Sequence, residues 1–441
     1  MPTSSPAASL TAGRAWGQSH LWVLLLFAVA APWSIAAAQA AVVLGALFVL
    51  AGILLARRRL AGTPPRPPVT VWLMLLFLGI QVLSIPLGIH PAHSLRSLAG
   101  SWVLLFPFLF WLLLAEARYR KWALRVLAAS GGLAGLYGLI QHFLGRNWVK
   151  GHELEALIGG GGYIAVGSLG HHLSYAGVLL PLFFLALGLA LDRRRSWLWW
   201  AAAACMLGGL GFSYARTAWV GLAAGLLVLG LCRGRRALAV IAVSLVVLAG
   251  LAMIVEPAIG RRLLSLMTIG EIPRTRLWLT SLHIVGDHPW IGGGLGSFKA
   301  LFAQYRVPGE YMSTAHPHSD LLNVLVETGI PGGVAWVAIW VAFFWETRPR
   351  FAHPGGHPGR PWLPDALRAG VAALLVAGLG QCFSTDEKVA QVWYFVAAGA
   401  LHLCRGVRRG EQPTGGAGHG PIGMVGKPSM EAAGNREQPG G

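Results

Sequence analysis

Residues 316–333 read HPHSDLLNVLVETGIPGG and set two imidazoles, a hydroxyl and a carboxylate beside a short apolar helix. His318 is the candidate base. Imidazole holds or releases a proton near neutral pH and can take the proton of a hydroxyl as that oxygen attacks. The competing reading is a loop histidine with no chemical role. His316, His283 and His288 complicate the choice. The His316-x-His318 pair could bind a metal, with Asp320 or Asp287 completing the set. No cysteine joins that scattered cluster, so no metal is expected. Glu327 falls on roughly the opposite face of a regular helix from His318, so a direct pair between them is not expected.

Arg216, in GFSYARTAWVGLAAG (211–225), stands between two apolar runs. An arginine there is costly unless it is paired or faces a polar cavity. The alternative is an interfacial side chain that snorkels to headgroups. Arg274 and Arg276, in PRTRLWLTSLHIVGDHPWIGGGLGSF (273–298), add guanidinium groups on the same side. Guanidinium forks bind phosphate oxygens, so several of them beside a membrane suggest a lipid phosphate or pyrophosphate. The turn at Gly292, Gly293, Gly294 and Gly296 could cradle a phosphate with its N–H groups, or simply lie against the membrane surface. His171 and His172, in GSLGHHLSYAG, open an apolar span and either line the same cavity or cap an interfacial helix. The expected binding set is Arg216, Arg274, Arg276, His316 and His172.

The elements that must position these groups are apolar helices. Of 441 residues, 55% are hydrophobic and only 12% charged, about half the charged fraction of a soluble domain. Candidate spans lie near 20–37, 38–56, 69–89, 95–115, 122–144, 170–191, 197–213, 217–232, 237–256, 329–346, 366–384 and 388–404, each near the roughly 20 residues that cross a bilayer. This predicts an all-α polytopic membrane protein of about twelve helices. The net charge of +18 is distributed by topology. Arg57–Arg59, Arg118 to Arg125, Arg193–Arg195, Arg233 to Arg236, Arg348 to Arg360 and Arg405 to Arg409 occupy every second loop, as cytoplasmic loops do. That places both termini in the cytoplasm and gives no reason to expect a nucleic-acid partner. Arg14, an apolar run and Ala38-Gln39-Ala40 look like a signal peptide, but a second span follows at once, so an uncleaved first span is expected.

The organisation predicted is a tail (1–18), nine spans (19–256) with a glycine-containing, mobile outer loop at 145–169, a large outer loop with short helices (257–328), three spans (329–404) and a disordered tail (405–441). Within the large loop a helix should carry Arg274, Trp278, Leu282 and Val285 and end before Pro289. Ser319 is a plausible N-cap, with Asp320 in the first turn of its helix. Gly329 can stop that helix in the left-handed conformation, and Pro331 can start the next. The STDEK turn (384–388) reads as a solvated connection. Cys205, Cys232, Cys382 and Cys404 sit in or at the ends of spans and read as packing residues.

These residues resemble the O-antigen ligase and O-antigen polymerase superfamily, bacterial inner-membrane glycosyltransferases of the GT-C type. His318-Ser319, residues 320–328 and then Gly329-Ile330-Pro331-Gly332 match its signature, as do Arg274 with Trp278 and the following His288-Pro289 … Gly292 … Gly294. SYARTAW looks like its outer-face serine–arginine segment, and GSLGHHLSYAG matches more loosely. The resemblance implies a donor glycan on undecaprenyl pyrophosphate, used at the periplasmic face. It gives His318 the acceptor hydroxyl's proton, gives Arg216 and Arg274 the pyrophosphate, and implies inversion with no metal or other cofactor. Arg276 is an extra arginine, so the choice between it and Arg274 stays open. The acceptor is lipid A–core for a ligase, a growing lipid-linked glycan for a polymerase, or a protein hydroxyl. A twelve-span polysaccharide-lipid transporter is the rival from another class. It would place ionisable residues deep in several spans, and these are scarce.

Overall fold

The structure is a computed structural model that describes residues 20–55, 66–157, 161–192, 196–255, 260, 273–309, 311, 316–348 and 361–408. The two tails, the arginine runs 57–59 and 193–195, Arg350, Arg360, Arg409, Gly159, Gly160 and residues 261–272 of the large loop lie outside them.

The chain is an all-α polytopic membrane protein. Six described helices are long and apolar enough to cross a membrane. They are α3 (Val69–Leu87), the interrupted pair α4 (Pro91–Ser101) and α5 (Phe106–Leu113), α6 (Ala117–Leu144), α7 (His172–Asp192), α9 (Arg216–Arg233) and α13 (Asp320–Glu346). Before them run α1 (His20–Ala30) and α2 (Ile35–Leu55), and among them α8 (Trp197–Phe212) and α10 (Arg235–Val255). Two short loop helices follow, α11 (Pro273–Asp287) and α12 (Ser297–Tyr305), and the chain closes with α14 (Leu363–Gly378) and α15 (Glu387–Arg408).

Several boundaries differ from the sequence reading for local reasons. The first two helices divide at residues 31–34, not 37–38. Proline 32 has no N–H to give, and the N–H groups of Trp33 and Ser34 both turn back to the Ala30 carbonyl. The 95–115 run starts at Pro91 and tightens into a 3-10 turn over Trp102–Leu105, ahead of a proline in the first turn of α5. The 366–384 run ends as helix at Gly378, leaving 379–386 as a turn.

Polar contacts define two ends of the bundle. At one end Arg233 pairs with Asp365 at 2.9 Å and lies 4.0 Å over the Trp362 ring. Glu346 there accepts the N–H groups of Val69 and Thr70, which have no partner within α3, and pairs with Arg405 at 3.0 Å. The sequence places its basic loops at this end. At the other end lie the starts of α7, α9, α13 and α15 and the ends of α3, α6, α8 and α14. The apolar core runs between them, with Phe27, Phe110 and Phe395 in mutual contact. Close helix approach depends on small residues. A side chain at Gly135 of α6 would meet the backbone of Cys205 in α8 at 2.7 Å.

The outer loop at 145–169 is tied down over its described residues. Strand β1 (Arg146–Asn147) pairs antiparallel with β2 (His152–Glu153). The Gln141 side chain accepts the Gly167 N–H and donates to the Gly167 carbonyl. The His142 ring stacks on Phe212 at 3.8 Å.

Candidate active site

The site lies at the end of the bundle opposite the Arg233–Asp365 and Glu346–Arg405 pairs. Its anchor is the N-terminus of α13. Ser319 caps that helix by accepting the Leu322 N–H, and buried Asp320 accepts the backbone N–H and hydroxyl of Ser384 at 2.8 and 2.6 Å. These bonds fix the 379–386 turn against the start of α13, and that turn holds His318. Gln381 Oε1 lies 2.6 Å from His318 Nδ1. With a carbonyl oxygen as partner, Nδ1 carries the hydrogen and Nε2 keeps its lone pair. His318 itself sits at φ +53, a conformation few non-glycine residues adopt. Tyr214 is the other described non-glycine residue at positive φ, also +53, and it stands two residues before Arg216. Such outliers concentrate at functional sites, and here each adjoins one of the two motifs singled out from sequence.

Arg274 comes to the same place from α11. Its Nη1 donates to the Gly380 carbonyl at 2.8 Å, one residue from Gln381. Burial first, and then the charge of Arg216, hold Arg274 below its usual pKa. His316 packs on His318 with ring centroids 4.2 Å apart and accepts the His318 N–H. Burial, then His318, Arg274 and His171, push His316 down to about 4. Burial also lowers His318; the Gln381 contact opposes that shift, and Arg274 and His171 add to it. Both shifts favour the neutral imidazole, the form able to accept a proton, beside guanidinium groups that stay charged.

The structure separates residues that the sequence left together. Arg276 is exposed and lies against Gly309, because two residues along a helix turn a side chain by about 200°. Of the adjacent histidines, His171 acts electrostatically on His316 and His318, while His172 begins α7 with its ring 5.1 Å from that of His171. His283 is exposed, and both His288 and Asp287 engage Tyr305. Asp320 is committed to Ser384, so neither aspartate accompanies His316 and His318. The glycine turn is no phosphate cradle. Gly292, Gly293 and Gly294 donate to the carbonyls of His288, Val326 and Glu327, and Gly296 donates to the Glu327 carboxylate. The turn fastens α12 to α13 and explains Glu327. The STDEK turn is likewise structural, with Asp386 accepting the Ser174 hydroxyl and Lys388 reaching the Leu169 carbonyl.

Residues 201–337 match a family model described as O-antigen ligase. That segment belongs to the O-antigen ligase superfamily. It contains Arg216, Arg274, Arg276, His316 and His318, whereas His171 and Gln381 lie outside it. An O-antigen ligase of Pseudomonas aeruginosa is 34% identical over 172 residues, which make up 38% of this chain and 39% of that relative. The chain thus spans well under half the length of the relative it matches. Gln381 was not singled out from sequence. The available signal was an amide in a Gly-x-Gly-Gln turn between two apolar runs on the outer side.

Proposed function

We propose that this protein is a glycosyltransferase that moves a glycan from undecaprenyl pyrophosphate to a hydroxyl of lipid A–core. The observation that carries the reading is the meeting of His318, its Nδ1 occupied by Gln381, with Arg274 at one end of the bundle. In this reading His318 Nε2 takes the acceptor hydroxyl's proton, and the oxygen attacks the anomeric carbon. The bond from that carbon to the pyrophosphate oxygen breaks with inversion. Arg274 and Arg216 stabilise the negative charge that develops on the departing pyrophosphate, the electrostatic contribution that commonly dominates catalysis. No residue is needed to protonate a leaving group that is already a good one, so no pair of carboxylates is called for. The setting belongs to the proposal as well. It is the bacterial inner membrane, with about twelve GT-C-like spans, both termini cytoplasmic and the site facing the periplasm. The basic residues at the opposite end of the bundle support that orientation.

The test is purified protein in lipid nanodiscs, supplied with a lipid-linked oligosaccharide and with lipid A–core. Glycosylated lipid A–core should form; His318→Ala should abolish it and Arg274→Ala should reduce it about 10- to 150-fold. Transfer at the parent rate in both variants refutes the mechanism. A longer lipid-linked chain as the only product refutes ligation and makes the protein a polymerase.

A further inference from the structure

A second compartment adjoins the His318 cluster and is not used by the mechanism above. It is an open-mouthed cavity of about 160 Å³ lined by α3, α4, α13, α15 and the glycine turn. Its separation from the cationic site is one turn of chain. Gln381 holds His318, and Ser384, three residues on, lines the cavity. The chemistry of the two compartments is opposite. Among the described residues no lysine, arginine or histidine lines the cavity, and its one acidic side chain is Glu327. An anion therefore meets no cationic partner there. Its other polar groups are amides and hydroxyls, including Gln81, Asn323 and Ser101, and Trp336, Trp340 and Tyr394 add aromatic lining.

Two of these groups lack partners. Gln81 is 7% exposed and Trp340 5%, and Gln81 Oε1 and Trp340 Nε1 are buried with no hydrogen-bond partner among the described residues. One is an acceptor and the other a donor. A buried polar atom left without a partner is destabilising, and a ligand that both donates and accepts would give each of the two a partner. A sugar hydroxyl does both, and the apolar face of a sugar ring suits an aromatic wall. We infer that this cavity is a binding subsite for one uncharged sugar residue of the donor or acceptor glycan. The assignment of those glycans rests on the glycosyl-transfer reading, while the binding itself does not.

Binding is read by saturation-transfer NMR on the whole protein in nanodiscs, with N-acetylglucosamine, galactose, glucose and glucuronate as probes. At least one neutral sugar should give signal and glucuronate none. Two variants locate the site. Gln81→Leu removes the unpaired oxygen, which should leave folding intact or improved. Gly100→Leu fills the mouth, where a side chain meets only Glu387 Oε1, at 3.9 Å. Each should reduce sugar binding at least about tenfold, while His318→Ala and Arg274→Ala retain it. Absence of signal from every neutral sugar on the parent protein overturns the subsite. So does binding that Gly100→Leu and Gln81→Leu both leave unchanged, or binding lost only in the His318 and Arg274 variants. In the transfer assay, a raised KM for the donor in Gly100→Leu assigns the subsite to the donor glycan. A raised KM for lipid A–core assigns it to the acceptor, and unchanged values for both overturn the role. Sugar binding without transfer leaves the subsite and removes the proposed function; transfer without sugar binding does the reverse.

Discussion

Replacing Gln381 by leucine is the sharpest probe of how His318 is prepared. The side chain is 6% exposed and its Oε1 sits 2.6 Å from Nδ1, so leucine leaves the ring N–H facing apolar surface where water enters poorly. A buried donor without a partner costs about 1–3 kcal/mol. Part of that cost is avoided when the proton moves to Nε2, the tautomer that cannot act as the base. Converted to rate, the same range is roughly 5- to 150-fold, and the loss should appear in kcat. The KM for the donor should hold, because Arg274 is anchored by the backbone carbonyl of Gly380 and not by the Gln381 amide. Gln381→Glu tests the same contact with the opposite bias. It keeps an acceptor but places a negative charge beside Nδ1, which favours protonated His318. The acid limb of the rate profile should then move to higher pH, with activity recovered on the alkaline side. The assay is single-turnover transfer of labelled lipid-linked oligosaccharide across the pH range around neutrality. A leucine variant indistinguishable from the parent at every pH, or a glutamate variant whose acid limb does not move, refutes the role of Gln381.

Four further outcomes follow from the geometry. Arg274→Ala should remove about 1.5–3 kcal/mol of charge-assisted binding and reduce transfer about 10- to 150-fold, whereas Arg276→Ala should leave transfer near the parent value; equal effects in one assay would contradict the separation of the two. His316 titrates near 4 in the fold against 6.5 when unperturbed, so the folded state binds fewer protons. Its contribution to stability is therefore present above pH 6.5 and lost as pH falls toward 4. The shift corresponds to roughly 3 kcal/mol, less once partial exposure is allowed for, so the parent's melting temperature should drop between those pH values and that of His316→Ala should drop less. Glu346→Ala should lower stability by about 2–3 kcal/mol, since it removes the cap of α3 and the partner of Arg405, and should leave the pH profile of transfer unmoved. Gly329→Ala should cost about 1–3 kcal/mol, because φ is +67 and a side chain would meet the Pro289 carbonyl oxygen at 2.6 Å; a thermal shift of the purified protein measures both.

What could be read from the sequence was local. Ser319 as cap, Gly329 at positive φ and the helix end before Pro289 all depend on a few neighbouring residues, and each is found in the structure. Hydropathy located the long spans but not the breaks at residues 31–34 and 102–105, where proline and short turns act against a continuous apolar run. What escaped was contact across the chain. Gln381 reaches His318 over 63 positions, and no local pattern around either residue names the other as its partner. His171, which the sequence did offer for this cavity, stands just before α7 and acts on His316 and His318 electrostatically.

The glycine turn shows why a local motif alone misleads. Four glycines near a helix start have the composition of a phosphate loop, yet their N–H groups are taken by α13 and its neighbours, and by the Glu327 carboxylate. A backbone cradle would hold a phosphate whatever stood at position 274. With those N–H groups occupied, recognition of an anion at this end of the bundle falls to side-chain guanidinium groups. Arg274→Lys then becomes informative beyond Arg274→Ala. It keeps the charge but loses the planar fork that can bond one oxygen of a pyrophosphate while Nη1 keeps Gly380. Donor KM should rise in the lysine variant even where folding is normal. If lysine serves as well as arginine, only charge is required at that position, and the bidentate part of the reading is wrong.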